Sequence, residues 1–551
     1  MENIEVKLPD GSKKVPKGTT LEEVLAAGPG HGPVVAARVN NILQELTNRV
    51  EEEAEIIPVD LSTQPGVRIY SRSLILVLAR AAREVFPTCR LRIEHSLNKG
   101  LYGEIYLGRP FGEKDLRRIE DRMKEIIAAD EKIEKLILPV EDAVRLFAED
   151  GQEDKVRMLK YRKTPQVKIY RCGWFHDYFY DYMVPSTGYL QLFELRFYLP
   201  GFILRFPTIE NPRRLPPYVD HRKLAHIFYE HAGWGKGLDV SDVGTLNRRI
   251  TEGTVRELIR INEALHEKNI VHLADQITRE RGRIRLVLIA GPSSSGKTTF
   301  AQRLSVQLRV NGVKPVSISL DDYFLDREAT PCDENGDPDF EALETIDLDL
   351  FNHHLASLIL GEEIEIPRFN FLTGKREYRG ESLKISYEQP VIIEGIHSLN
   401  ERLTEMVPKD RKFKIYVSAL TQLNLDDHNR IPTTDNRLIR RIVRDSKFRS
   451  HDAAVTLRLW PGVRRGEERN IFPYQEEADA MFNSALIYEL AVLKKYITPL
   501  LTKIKPDCPD YSEARRLAKF LSYFLSLDDQ EVPMNSILRE FIGRSCFFLD
   551  S

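Results

Sequence analysis

The sequence predicts an α/β protein built on a mainly parallel sheet, with two smaller units in front of it. Three observations predict this. An apolar run, Leu286 to Ala290, enters a loop of Gly, Pro and Ser and leaves through Lys-Thr-Thr into a helical stretch. Two later apolar runs, "VSISL" and "VII", end in acidic residues. Before residue 62, short alternating segments are punctuated by turns.

At 551 residues the chain is long enough for about three domains. With 42% hydrophobic and 30% charged residues it has an ordinary globular composition. A net charge of -3 argues against a chain dominated by polyanion binding. Cys89, Cys172, Cys332, Cys508 and Cys546 lie far apart without a CxxC pair, as reduced thiols do. The first residues carry no apolar signal core, and no apolar run reaches the roughly 18 residues of a membrane span. A cytoplasmic chain without membrane contact is expected.

Residues 1–62 alternate apolar and polar residues, turn at Asp10-Gly11 and alternate again. Thr19 or Thr20 can cap a helix from Leu21, with Glu22 and Glu23 in its first turn. "VVAARVNNILQELTNRV" reads as strand, turn, strand. This is a β-grasp pattern. Residues 63–215 read as α+β: a helix from Ser73 to Glu84, strands after "FPTCR", and the charged amphipathic helix "EKDLRRIEDRMKEIIAADEK". Residues 216–283 read as a helical connector, 284–500 as the main α/β unit and 501–551 as a helical tail.

Gly291 to Thr298 fit GxxxxGK[ST] in the strand–loop–helix context the motif needs. Gly291 and Gly296 let the backbone curl so that N–H groups point inward, and the helix N-terminus adds positive potential. The expected phosphate cradle is Gly291, Ser293, Ser294, Ser295, Gly296, Lys297, Thr298 and Thr299. Lys297 supplies a compact cation and Thr298 a hydroxyl for Mg²⁺. Asp321 ends the next strand, where a carboxylate can accept a hydroxyl proton and help hold the metal. Asp322 should point the other way. Glu394 ends the third strand as a second contact to Mg²⁺. Arg437, Arg440, Arg441 and Arg444 recur at helical spacing, with Arg449 beyond, as a candidate lid carrying positive charge to a transferring phosphoryl group.

The ordered set "GPSSSGKTT", "SLDDYFLDR", "FEALETIDLDLF", "EIPRFNFLTGKR", "VIIEGIHSL" and "RLIRRIVRD" resembles the uridine kinase/phosphoribulokinase family of P-loop kinases. The resemblance implies ATP and Mg²⁺ as cofactors and transfer of the γ-phosphate to a hydroxyl of a nucleoside or related sugar-bearing molecule. It implies Asp321 as base, with Lys297 and Arg444 stabilising charge. Thr298, Asp321 and Glu394 organise the metal. Glu344 stands where the family holds ribose hydroxyls, Phe324 and Phe369 flank the nucleoside, and Arg441 and Arg449 contact substrate. The sequence departs from the family at Phe369, Asn370 and Gly374, where uridine kinases read the pyrimidine with a tyrosine, an acid and a histidine; this argues against uridine itself.

Residues 1–62 resemble the TGS domain of threonyl-tRNA synthetases, and 63–215 resemble the second additional domain, which hydrolyses mischarged tRNA. The resemblance implies an RNA contact through the N-terminal half. Cys172 and His176 retain half of that domain's metal set; the other half should be Arg72 and Leu76, neither a ligand, so no metal site is expected. The alternative reading is an RNA- or tRNA-binding regulatory protein that uses ATP as a switch.

Overall fold

The computed structural model describes residues 2–26, 33–225, 228, 239–332, 336, 339–370 and 372–548. The chain opens with β1 (Asn3–Leu8) and β2 (Gly11–Pro16), a hairpin around Asp10-Gly11. Helix α1 (Leu21–Leu25) is closed by a reciprocal cap: the Thr20 hydroxyl accepts from the Glu23 N–H, and the Glu23 carboxylate accepts from the Thr20 N–H. β3 (Ala36–Val39) and β4 (Ile42–Gln44) turn at Asn40 and Asn41, both at positive φ, which suits a two-residue hairpin. With β5 (Ala54–Val59) the sheet order is β2-β1-β5-β3-β4, and β1 lies parallel to β5. The predicted β-grasp is present.

Helix α2 (Gln64–Val85) begins nine residues before the predicted Ser73. "QPG" reads as a breaker, yet Thr63 caps the helix, Pro65 fits its first turn and Gly66 packs on the Asp60 carbonyl. Its middle is buried on all sides, as expected for a core helix. Around it lie β6 (Arg90–Leu97), β7 (Gly100–Tyr106), α3 (Glu113–Ala128), β8 (Ile133–Pro139), α4 (Val140–Glu149), α5 (Glu153–Leu159), β9 (Gln166–Cys172), β10 (Phe175–Asp177), β11 (Glu194–Tyr198) and β12 (Gly201–Arg205). They form two antiparallel sheets, β10-β9-β8 and β11-β12-β7-β6. The charged helix α3 buries Leu116, Ile119, Met123, Ile126 and Ile127 and leaves most of its charges outward, with Asp115 buried and paired to Arg109.

Helices α6 (Val243–Thr251) and α7 (Val255–Arg279) lead into β13 (Leu286–Ala290). There follow α8 (Lys297–Val310), β14 (Val316–Ser319), α9 (Leu348–Ile359), the hairpin β15 (Ile364–Asn370) and β16 (Lys375–Leu383), and β17 (Val391–Glu394). Then come β18 (Lys412–Ser418), α10 (Thr433–Phe448), α11 (Ala453–Asn470), β19 (Ala480–Asn483), α12 (Glu489–Leu501), α13 (Tyr511–Leu521) and α14 (Arg539–Ile542). The main sheet is wholly parallel in the order β14-β17-β13-β18-β19. β13 sits centrally, buried on both faces, as its uninterrupted apolar sequence requires. One hydrophobic core runs from Phe147, Ile169 and Tyr178, through α7 and this sheet, to Phe520, Ile537 and Phe541. Among the described residues no helix is long and apolar enough to cross a membrane.

Candidate active site

The register of the parallel sheet brings the predicted residues to one edge. Ser319 and Ile289 both pair with Glu394 across neighbouring strands, so the ends of β14, β17 and β13 lie side by side. Gly291 follows β13. A Cβ there would lie 2.0 Å from the Val417 carbonyl oxygen, so no larger residue fits beside β18. Ser294 and Gly296 hold positive φ, which folds the loop back on itself. The hydroxyls of Ser294 and Ser295 are buried without a hydrogen-bond partner. A curled backbone with spare hydroxyls at a helix N-terminus fits a phosphate chain.

Lys297 lies within the loop, its Nζ 3.3 Å from the Pro292 carbonyl. Burial lowers its pKa, while Glu394 and Asp321 oppose that. The hydroxyls of Thr298 and Ser319 both donate to Glu394 Oε1, at 3.2 and 3.3 Å. The Thr299 N–H donates to Glu540. Asp321 is the second residue of a short 3-10 turn, Leu320–Tyr323, after β14 and lies in electrostatic reach of Lys297, Glu394 and Arg449. Asp322 points away, as expected, to Arg368 at 2.9 Å and the Phe369 N–H at 3.2 Å. Thr298, Asp321 and Glu394 together present oxygen donors suited to Mg²⁺. Among the described residues no group of three His, Cys, Asp or Glu side chains could hold a metal ion. Mg²⁺ ordinarily binds through one or two carboxylates, waters and substrate phosphates instead.

Glu394 is 9% exposed, and its carboxyl is pushed up to about 7, first by burial and then by Asp321, against the pull of Lys297. A carboxyl raised in the folded state favours folding while protonated. Its cost appears as pH rises above the ordinary value and is complete once pH passes about 7. The nucleotide-free protein should therefore melt lower at pH 8 than at pH 6, and Glu394→Gln should reduce that difference. Melting curves of both proteins at both pH values check this.

The arginine helix divides in two, which corrects the reading of one broad lid face. Arg437 and Arg440 are fully buried. Arg437 donates to the Ser293 carbonyl at 2.9 Å and pairs with Glu467, which also accepts the Ser293 N–H. Arg440 pairs with Glu489 and donates to the Ser484 carbonyl. These two brace the loop from behind. Arg441, Arg444 and Arg449 gather instead on the buried Asp445, at 3.2, 2.9 and 3.9 Å. Burial opposes ionisation of Asp445, but the three guanidinium groups hold its carboxyl below the usual range. Arg441 also donates to the Ser293 hydroxyl at 2.8 Å, so this cluster adjoins the cradle.

Where the resemblance expects the acceptor, Phe324 and Phe369 pack edge to face with ring centres 5.6 Å apart. Glu344 turns outward, more than half exposed, and pairs with Arg402. The acid that lies near Lys297 and Arg441 is Glu341, three residues earlier and missed from the sequence. It is 8% exposed, with Oε2 buried and unpartnered. Burial pushes its carboxyl up, while Arg441, Lys297 and Arg437 draw it down. Glu344 lies inside the 3-10 turn Leu343–Thr345, whereas Glu341 precedes it, and the two acids face different surroundings. Gly466 of α11 abuts Glu341 so closely that a Cβ would lie 2.2 Å from the Glu341 Cβ.

Asn370 and Gly374 have structural work here. The Asn370 side chain accepts from the Leu372 and Thr373 N–H groups and donates to Glu377. Gly374 has φ +70, and a Cβ there would strike the Arg327 side chain. A histidine at that position would be strained and would displace Arg327.

In the front half Cys172 is buried at the end of β9, and His176 lies on β10. The helix residue that meets Cys172 is Arg80, not Arg72 or Leu76. Its guanidinium lies 3.3 Å from the sulfur, pairs with Glu131 and Glu84, and packs on Gly173. Arg72 instead reaches the Tyr182 carbonyl and Asp181. A fixed guanidinium beside Cys172 stands where a bound cation would need room.

Residues 286–489 match the family model described as Phosphoribulokinase / Uridine kinase family. The chain is 30% identical over 199 residues to the threonine–tRNA ligase of Pelobacter propionicus, covering 35% of this chain and 31% of the ligase. It is 34% identical over 196 residues to that of Methylibium petroleiphilum, again 35% and 31%. The chain thus spans less than a third of the length of these ligases. Among solved structures, a possible uridine kinase from Bacillus stearothermophilus shows 21% identity over 39% of this chain and 98% of that one, with a TM-score of 0.28. Residues 286–489 are a domain of the phosphoribulokinase/uridine kinase family, fused to an N-terminal half that matches threonine–tRNA ligases.

Proposed function

We propose that the chain is an ATP- and Mg²⁺-dependent kinase that phosphorylates a hydroxyl of a nucleoside or related sugar-bearing small molecule. The observation that carries this is the meeting of Lys297, Thr298, Asp321 and Glu394 at adjoining strand ends. Bound MgATP supplies the phosphoryl group and part of its charge neutralisation. Asp321 takes the proton from the attacking hydroxyl. Lys297, with Arg441, Arg444 and Arg449, stabilises charge around the transferring group, and Thr298, Asp321 and Glu394 would hold the metal. Asp445 keeps the three arginines gathered before substrate arrives.

Glu341 takes the acceptor-binding role that the resemblance gave to Glu344. Its unpartnered Oε2 offers an acceptor for a sugar hydroxyl, and Phe324 and Phe369 offer an apolar wall. The expected result for Glu341→Gln is a rise of about tenfold or more in acceptor KM with ATP KM nearly unchanged, from loss of a charge-assisted hydrogen bond. Glu344→Gln should change neither. Steady-state kinetics with each substrate varied in turn checks both.

The division at residues 62, 215, 283 and 500 is part of this proposal, as is a cytoplasmic location, which suits the five free cysteines. In this reading the N-terminal half has no metal-dependent hydrolysis and serves as a binding surface, with RNA as its candidate partner. The alternative, an RNA-responsive regulator that uses ATP as a switch, is separated by an acceptor assay. Acceptor-dependent ADP release supports the kinase; release stimulated by tRNA alone supports the regulator.

A further inference from the structure

Building on the reading of residues 291–299 as a nucleotide-phosphate cradle, we infer that the C-terminal segment 536–543 is an intramolecular plug, with the Glu540 carboxylate seated where a nucleotide phosphate would be held.

Thr299 is the third residue of α8, so its N–H is one of the free donors at that helix N-terminus. In this structure it donates to Glu540 Oε2 at 3.0 Å. A carboxylate and a phosphate oxygen compete for the same donor. The contact spans more than two hundred residues of sequence and is supported by neighbouring packing. A Cβ on Gly296 would lie 2.4 Å from Cγ2 of Ile537, so the tail touches the last glycine of the cradle. The Ser536 hydroxyl donates to Glu263 at 2.5 Å, and Arg539 holds Asp529 and the Val532 carbonyl at 2.8 and 2.7 Å. Lys447 of α10 donates to the Ile542 carbonyl at 2.7 Å. Arg440, which braces the cradle from behind, also lies over the Phe541 ring at 4.9 Å.

Ile537, Leu538 and Phe541 are buried within this scaffold, whereas Glu540 is partly exposed. The backbone of the segment is anchored, while the Glu540 side chain that meets the Thr299 N–H is partly exposed. Its charge acts on the site as well, since Glu540 is among the groups that raise the Glu394 carboxyl and oppose the lowering of Lys297. A negative side chain in a polyanion site disfavours the ligand until it moves aside. The plug therefore sets a threshold for nucleoside triphosphate binding.

The test is calorimetric titration of the full chain with MgATP, for the wild type, Glu540→Ala and Glu540→Gln, each with and without Lys297→Ala. Removing the competing carboxylate with Glu540→Ala should tighten ATP binding about tenfold, and Glu540→Gln, which keeps a neutral acceptor, should tighten it less. Unchanged or weaker binding by a folded Glu540→Ala protein overturns the plug. If that variant does not fold, Glu540→Gln decides, and no tightening there overturns it. Lys297→Ala separates the two readings. If it abolishes ATP binding while Glu540 variants leave affinity unaltered, the cradle stands and the plug fails. If it leaves ATP binding intact, the cradle reading fails and the plug fails with it.

Discussion

Asp321→Asn is expected to bind ATP within a few-fold of the wild type and to lose phosphoryl transfer by about a thousandfold, the middle of the range for a positioned general base. The substitution keeps the size of the side chain and removes its ability to take a proton. Asp321 stands on a turn fixed at both ends: Leu320 packs under Gly395, and Tyr323 is buried with its hydroxyl 3.0 Å from His354. The turn should therefore hold its place in the variant. The cradle itself, residues 291–299, lies on a different strand end, which is why ATP affinity should survive. Single-turnover transfer measured beside equilibrium ATP binding separates the two effects. Unchanged turnover would remove Asp321 from the chemistry.

The second large effect is expected far from the cleft, at Lys155. Its ammonium is wholly buried, 3.0 Å from Asp177, 3.5 Å from Asp426 and 3.6 Å from Asp154. His428 adds a contact to Asp177 at 2.7 Å, and Asp154 accepts the Asp427 N–H. Burial alone would lower the pKa of Lys155, but Asp154, Asp177 and Asp426 reverse this and keep it charged well above neutrality. The Asp426 carboxyl is raised to about 6, by burial first. Because the raised lysine pKa lies far above neutral pH, its contribution to stability is intact at pH 7 and is lost only in strong alkali. Lys155 and its partners join the front half to the loop 424–430 after β18, with Arg90 pairing Asp427 alongside. A cavity of about 330 Å³ lies against this junction, lined by Arg83, Cys89, Arg157 and His428 among others.

Lys155→Ala removes the cation and leaves several carboxylates buried together. Breaking a buried ionic cluster in this way costs about 3–5 kcal/mol. The expected outcome is a marked drop in the urea midpoint and early cleavage near the junction in limited proteolysis. Adding Asp177→Asn and Asp426→Asn should restore part of the loss, because the uncompensated charges then disappear. A Lys155→Ala protein as stable as the wild type would show that the cluster carries little of the coupling between the halves.

The parts of this site that were legible in the sequence share one property: they are local. Gly291, Lys297 and Thr298 lie in one unbroken motif, Glu394 ends a strand and Asp321 follows one within two residues, so strand direction places them. The acceptor acid was not legible in the same way. Glu341 and Glu344 are one turn apart by helical counting, but the 3-10 turn that carries Glu344 leaves it exposed, while Glu341 before the turn is buried beside Arg441 and Lys297. Periodicity put Arg437, Arg440, Arg441 and Arg444 on a common face and could not tell which part of that face meets protein; Glu467 and Glu489, from other helices, decide it. Arg80 was missed beside Cys172 because the crossing of α2 over β9 sets that register. Glu540 had no local signal at all, since its partner lies on a distant element.

In fold terms the alternating strands of the β-grasp and the apolar runs of the main sheet declared themselves through periods of two and through flanking turns. The start of α2 did not, because "QPG" has loop composition and only the cap at Thr63 shows that Pro65 and Gly66 begin a helix.

The measurement that bears most directly on the central claim is transfer itself. The 551-residue chain is incubated with MgATP labelled at the γ-phosphate and a panel of nucleosides and sugars, with tRNA in parallel. Label should move to a hydroxyl of at least one small acceptor, in step with ADP release, and this should vanish in Asp321→Asn. ADP release without any labelled small acceptor, or release that appears only with tRNA, would contradict the kinase reading.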